Sequence, residues 1–388
     1  MKKQWQIPQW LVTTLAVGWT ELRPTRRSLS EECVQAMEPT KSYGRPDATL
    51  GLRPLSHASR YSLARVAPPQ AAQRRRSASH RGWVGILCIA TLLLLSPGCS
   101  VRRLAVNKLG DALSAGGTTF SSDNDPDLVR DAAPFSLKIM EALLAESPRH
   151  VELRRAAAAG FAQYAFAFVQ MEADEKEQSD FSASEALRLR ARRLYVRGRN
   201  HALQGLEVRH PKFEKTLRSD PTAAVSQLTP RDLPLIYWAG AAWAGAISQS
   251  KDQPELIAEL PLVGALMDRA LQLDPGWGKG SLHSFFIAYE PMRPGASADR
   301  PERSKAHLEQ AITLTGATLA GPFVMYAEAI CVPRKDKAEF EALLRKALQI
   351  DIELRPESRL ENLIMQRRAR WLQSRIDELF VTPHTAAP

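Results

Sequence analysis

The residues best placed to do chemistry form a Gly-Trp-Gly-Lys-Gly-Ser run, Gly276 to Ser281. In a phosphate-binding loop, such glycines let backbone N–H groups and a lysine ammonium wrap an anion. Two positions break that pattern: Leu273 stands where the first glycine is required, and Gly280 where a Ser or Thr is required. The run also follows a helical pattern instead of a strand, so it reads as a helix–helix turn. The eight histidines include no i, i+4 pair of the kind that holds a metal on one helix face, and none sits beside a Cys pair. A Gly-x-Ser-x-Gly nucleophile elbow is missing. Glu172, Asp174, Glu175, Glu177 and Asp180 read as a solvated connector between two helices and not as paired catalytic carboxylates. Arg188, Arg190, Arg192, Arg193, Arg197 and Arg199 read as a half-exposed basic helix, with stems packed along Leu187, Leu189, Leu194 and Tyr195. Anion or headgroup binding is the functional alternative there. Cys331 lies in the apolar stretch 327–332 and reads as a buried structural thiol. No catalytic residue, metal site or cofactor is expected, and the chain does not read as an enzyme.

The elements that position these residues occupy only part of the 388-residue chain. Its net charge is +10, but residues 1–98 carry +9 of it and residues 99–388 only +1. A nucleic-acid-binding reading based on overall basicity therefore has no support in the larger part. Residues 1–80 show no sustained hydrophobic period and are rich in Pro, Ser and Arg, a composition too poor in burial to offset ordering entropy. Residues 81–98 read as a signal peptide. Arg74, Arg75, Arg76 and Arg81 precede a largely apolar run of 13 residues from Trp83 to Leu95, too short to span a bilayer, which takes roughly 20. The run exits through Ser96-Pro97-Gly98-Cys99-Ser100, which resembles the lipobox of bacterial lipoproteins, with Pro97 as its departure. That resemblance implies diacylation of Cys99 and cleavage before it. A signal peptide this far along the chain predicts translation starting downstream of Met1, at a non-Met codon such as one at Leu63 or Val66. A disordered cytoplasmic leader is the alternative. Residues 99–125 are expected to be a linker behind the anchor, and residues 381–388 a tail.

Residues 126–380 have helical periodicity, and the expected fold class is all-α. Asp125-Pro126 and Thr229-Pro230 place proline at the first helical position behind a capping side chain. Ser182/Glu185, Asp336/Glu339 and Ser358/Glu361 have capping-box spacing. A motif from Ala270 to Pro275 recurs near Ala311 to Gly316 and Ala347 to Asp351, with looser copies ending at Pro148 and Pro211. The breakers are spaced 63, 64, about 41 and about 36 residues apart. Each unit exposes an apolar stripe that a neighbour must cover, which is the logic of a tetratricopeptide-like array of helix pairs with irregular repeat length. The run from Leu233 to Ile247 is apolar on every face and too short to span a membrane, so burial within protein is expected. Core packing is one role for its Tyr237, Trp238 and Trp243. The other is an internal ligand channel shared with Phe285, Phe286, Tyr289 and Tyr326.

Several blocks carry a family resemblance in order and spacing. They are Leu235 to Trp243, Ala270 to Trp277 with His283 and Phe285, Gly321 to Val324, Tyr326 to Ala329, Val332-Pro333, and Gln366 to Leu372. With the lipobox, they make residues 95–380 resemble the T component of TRAP transporters, the TatT family of bacterial lipoproteins. The resemblance implies a periplasmic, lipid-anchored helical-repeat protein, placed by Ser100 at the outer membrane sooner than the inner. It implies trimers with pore-like channels, and work beside a periplasmic solute-binding protein and a permease that take up organic acids or small hydrophobic ligands. A helical envelope scaffold with no ligand handling is the competing reading.

Overall fold

A computed structural model describes residues 99–115, 118–295 and 298–381, with side chains from residue 104 onward. The basic leader, the signal peptide and nearly all of the tail lie outside the described residues, as does the side chain of Cys99. Every regular element among the described residues is helical. None of these helices is long and apolar enough to cross a membrane.

Helix α1, Cys99–Ser114, occupies most of the stretch expected as linker. Helix α2, Pro126–Glu146, starts where the sequence places it: Asp125 accepts hydrogen bonds from the Asp127 and Leu128 N–H groups. That arrangement satisfies two of the donors a helix start leaves open. Helix α3, Val151–Tyr164, runs through a π-helical segment at Ala165–Gln170 into α4, Met171–Lys176. Helix α5, Phe181–Arg209, is the longest, at 29 residues. Asp180 caps it by accepting from the Ala183 N–H, so the expected Ser182/Glu185 box does not form the start. Two short helices follow, α6 at Phe213–Ser219 and α7 at Pro221–Ser226.

Helix α8, Leu233–Ser248, is buried at every position except Pro234, in accord with its unbroken apolar sequence. It packs against α3, α5 and α10, Leu260–Leu273; the four-residue α9, Pro254–Ile257, intervenes in the chain. Close approach depends on its small residues, since a Cβ added at Gly245 would lie 2.7 Å from the Tyr195 ring. The Gly276–Ser281 run is a helix–helix turn as expected, with positive φ at Gly278, Lys279 and Gly280. At Gly280 (φ +97°) a side chain would also press on the Ala311 backbone, so glycine is required for two reasons.

Beyond that turn come α11, Ser281–Tyr289, and α12, Arg300–Thr315. Helix α13, Gly321–Tyr326, continues through a second π-helical segment, Ala327–Cys331, into α14, Val332–Arg334. Helices α15, Lys337–Leu348, α16, Arg359–Ser374, and α17, Ile376–Leu379, complete the described chain. One continuous apolar cluster runs from Val129 to Leu372. The expected breakers do end helices α2, α5, α10, α12 and α15. Helix lengths between them range from 29 residues to single turns, so a regular pair repeat is not evident.

The Ser358/Glu361 box is absent for a tertiary reason. Ser358 makes no side-chain cap bond, and the Leu360 N–H donates instead to the Ser121 carbonyl at 3.0 Å, from the loop before α2. Glu361 does not take its expected place in that cap and is fully buried.

Candidate functional site

The seven aromatics expected along a channel are all buried. Tyr237 and Trp238 meet edge to face with centroids 5.0 Å apart, and Trp277 lies 5.0 Å from Tyr237. Phe285, Phe286 and Tyr289 form a second ring cluster, which His307 extends by stacking on Phe286. The Trp243 indole donates to Glu259 Oε2 at 2.8 Å, and the Arg199 and Arg218 guanidiniums lie 5.0 and 5.5 Å from its ring. Tyr326 ends α13, just before the second π-helical segment. These rings face protein partners on several helices, as offset and edge-on aromatic packing favours.

Around the π-helical segments two residues, Asp174 and Arg188, depart from the sequence readings of their groups. Asp174 is no solvated connector residue but has a fully buried side chain. It accepts from Arg368 at 2.8 Å and lies 3.0 Å from Arg188, itself buried and not half-exposed. Arg368 also engages Glu328 with two nitrogens, at 3.2 and 2.5 Å. Glu175 pairs with Arg367 at 2.5 Å. A π turn inserts one extra residue and so resets which face the following side chains occupy. One such segment ends four residues before Asp174, and the other contains Glu328. Burial alone would lower the Arg368 pKa, but Glu328 and Asp174 outweigh it and hold the guanidinium above its ordinary value. Tyr195 donates to Gln170 Oε1 at 2.8 Å, and burial followed by the Asp174 charge pushes its phenol far above the usual range. The arrangement locks α4, α5, the second π-helical segment and α16 together.

Open apolar space lies elsewhere, between α1, the loop before α2, α2 and α3. It holds about 240 Å³ and reaches Gln163 and Phe168, the latter in the first π-helical segment.

Comparison with known proteins decides the assignment. The TRAP transporter T-component family matches residues 122–380, the greater part of the chain and nearly all of its buried core. The chain belongs to this family. It is also similar to an uncharacterized protein of Treponema pallidum (strain Nichols), 29% identical over 317 residues, which cover 77% of this chain and 98% of that protein.

Membership makes this T-component part of a periplasmic transport system, and the non-enzymatic reading follows from a family of transport components. Among the described residues no group of three or more His, Cys, Asp or Glu could hold a metal ion. Cys331 is buried, and burial, then Glu339, raises its thiol pKa far out of the reactive range. His283 and His307 face each other with Nδ1 atoms 2.9 Å apart, so one ring donates to the other. Burial, then His283 and nearby arginines, lowers His307 to about 4, and burial lowers His283, so both rings are neutral near pH 7. The sequence reading missed this pair because 24 residues separate its members. Glu361 was missed as well: both its oxygens are buried without a partner, and burial holds its carboxyl far above the usual range. Its one available signal was the seven-residue spacing to Arg368, which puts both on nearly the same face of α16.

Proposed function

We propose that this T-component is a lipid-anchored accessory of a TRAP-type transport system that docks a periplasmic solute-binding protein and handles a small ligand in its interior. The observation that carries the reading is the family match over residues 122–380. Acylation at Cys99 would tether it to the envelope, at the outer membrane in preference to the inner. Because Cys99 lies within α1, acylation there would set this helix, and not an extended linker, next to the membrane. The reading includes a tetratricopeptide-like stacking of helix pairs and a homotrimeric assembly. It keeps Tyr237, Trp238, Trp243, Phe285, Phe286, Tyr289 and Tyr326 as the wall of a passage. Since those rings are packed on protein neighbours, a ligand reaching them has to displace existing contacts.

The test is direct titration of the purified T-component with a TRAP-type solute-binding protein from the same organism, alongside mass analysis of the N-terminal peptide. A saturable complex and a diacylglyceryl mass at Cys99 are expected. If neither is found, the reading fails. The envelope-scaffold reading draws on the same packed aromatics, which act there as core alone; ligand-free protein with an unchanging interior would favour it.

A further inference from the structure

The space between α1, the loop of residues 118–122, α2 and α3 has properties that the transport reading does not use. Its 240 Å³ is roughly eight waters' worth. That exceeds the ~150 Å³ apolar cavity able to hold a benzene ring and falls just short of the ~300 Å³ at which drug-sized sites begin. Leu113, Leu137, Met140 and Phe168 give its wall an apolar character, and among the described residues no Lys, Arg, His, Asp or Glu lines it. Of the five polar side chains on the wall (Thr119, Ser121, Ser136, Gln163 and Tyr164), two are committed to backbone carbonyls. Ser121 donates to the Thr118 carbonyl at 3.3 Å and Ser136 to the Ala132 carbonyl at 3.4 Å. Gln163 differs: it is 6% exposed, lines the cavity, and its Nε2 donor is buried with no partner. Buried amides are rarely left in that state unless something else receives the hydrogen bond.

We infer that this cavity is a binding site for a small uncharged molecule with an apolar body and one hydrogen-bond acceptor, received by the Gln163 amide. An ester or ketone carbonyl on a short chain or single ring has this chemistry. An ionised organic acid does not fit, because its carboxylate would give up hydration with no cation on the wall to replace it. The site does not depend on the transport reading, since binding here is a property of the isolated chain.

Calorimetric titration of the full-length protein with methyl octanoate and with sodium octanoate at pH 7.5 tests the assignment. The ester is expected to bind at one site, and the ionised acid at least about ten-fold more weakly. Gln163→Leu should weaken the ester about five-fold, the worth of one neutral hydrogen bond. Ala159→Leu should abolish binding by filling the cavity from α3, and Ala133→Leu does the same from α2 should the first variant fold poorly. Octanoate binding as tightly as the ester would overturn the proposal, as would absence of ester binding or a folded, cavity-filled variant that binds like wild type. A solute-binding protein that docks while the ester does not bind sinks this inference and leaves the transport reading standing; the reverse outcome does the opposite.

Discussion

Helix α3 faces two very different neighbours. Towards α5 and α8 its small side chains permit close contact: a Cβ added at Gly198 of α5 would lie 3.0 Å from the Ala158 carbonyl. Towards α2 the same run of alanines meets Ala133 and Ser136, and the space between stays open. Small residues therefore make a tight interface only where the partner backbone comes close or supplies a ring, as α5 does with Tyr195 against α8. Where both sides are small and the backbones stay apart, the result is a cavity. The closed side of the molecule is further tied by the Asp174–Arg368–Glu328 network; the open side carries the exposed Leu128 and Phe135 of α2, the latter 71% exposed.

The largest effect should come from breaking the closed side at its charge. Arg368→Met leaves Asp174 and Glu328 buried without their shared cation, and removing one partner of a buried pair typically costs about 3–5 kcal/mol. Denaturant unfolding of the variant should show that loss. A loss under about 1 kcal/mol would mean that Arg188 and solvent suffice for the two carboxylates and that the network is not what holds α4 to α16.

Next comes the steric side of the same contrast. Gly245→Ala drives a methyl group into the Tyr195 ring, where overpacking costs about 1–3 kcal/mol. Tyr195 has little room to yield, because its hydroxyl is bonded to Gln170. An unchanged midpoint in thermal unfolding would show that α5 and α8 are not as tightly matched as their geometry indicates.

Glu361 supplies a pH-dependent comparison. Its carboxyl stays protonated in the folded state, while the unfolded chain releases the proton near the ordinary value of about 4.3. Above that pH the unfolded state holds fewer protons than the folded one, so stability falls as pH rises until the folded group itself ionises. Wild type should therefore lose about 1 kcal/mol per pH unit relative to Glu361→Gln between pH 5 and 7. Parallel stability curves for the two proteins would show that Glu361 finds a partner and is not held neutral.

How far the sequence carried this reading differs between the two sides. Helix existence, the Asp125 and Asp336 caps, the burial of Leu233 to Ile247 and the turn at Gly278–Gly280 were legible, because each depends on residues within a few positions of one another. The charge network was not, since Asp174 and Arg368 are 194 positions apart and each resembles an ordinary surface charge in its own helix. Glu361 misled for the same reason: its spacing from Ser358 satisfies a local rule that a backbone bond from Leu360 to Ser121 overrides. The cavity was illegible in a stricter sense. Alanines on α3 look alike whether their partner helix is near or far, and the aromatics that drew attention to a channel are the residues most able to fill one.

That last point leads to the smallest expected effect, which bears most directly on the contrast between the two faces of α3. Ala159→Leu adds three carbons on the open side, where filling a cavity commonly gains about 0.5–2 kcal/mol. The equivalent enlargement of Ala158, which is fully buried and whose carbonyl lies close to Gly198 of α5, overpacks the closed side and should lose stability. Two neighbouring alanines on one helix, given the same substitution, should thus move unfolding midpoints in opposite directions. The sign of Ala159→Leu is the sensitive quantity. A gain means the space is empty and rigid enough to be filled, while a loss means α2 already collapses onto α3 in solution and the open side exists only as a minor conformation. The cavity's Gln163 sharpens the distinction: Gln163→Leu should be neutral or slightly stabilising if its Nε2 lacks a partner in the ligand-free protein, and destabilising by about 1 kcal/mol if the collapsed form has given it one.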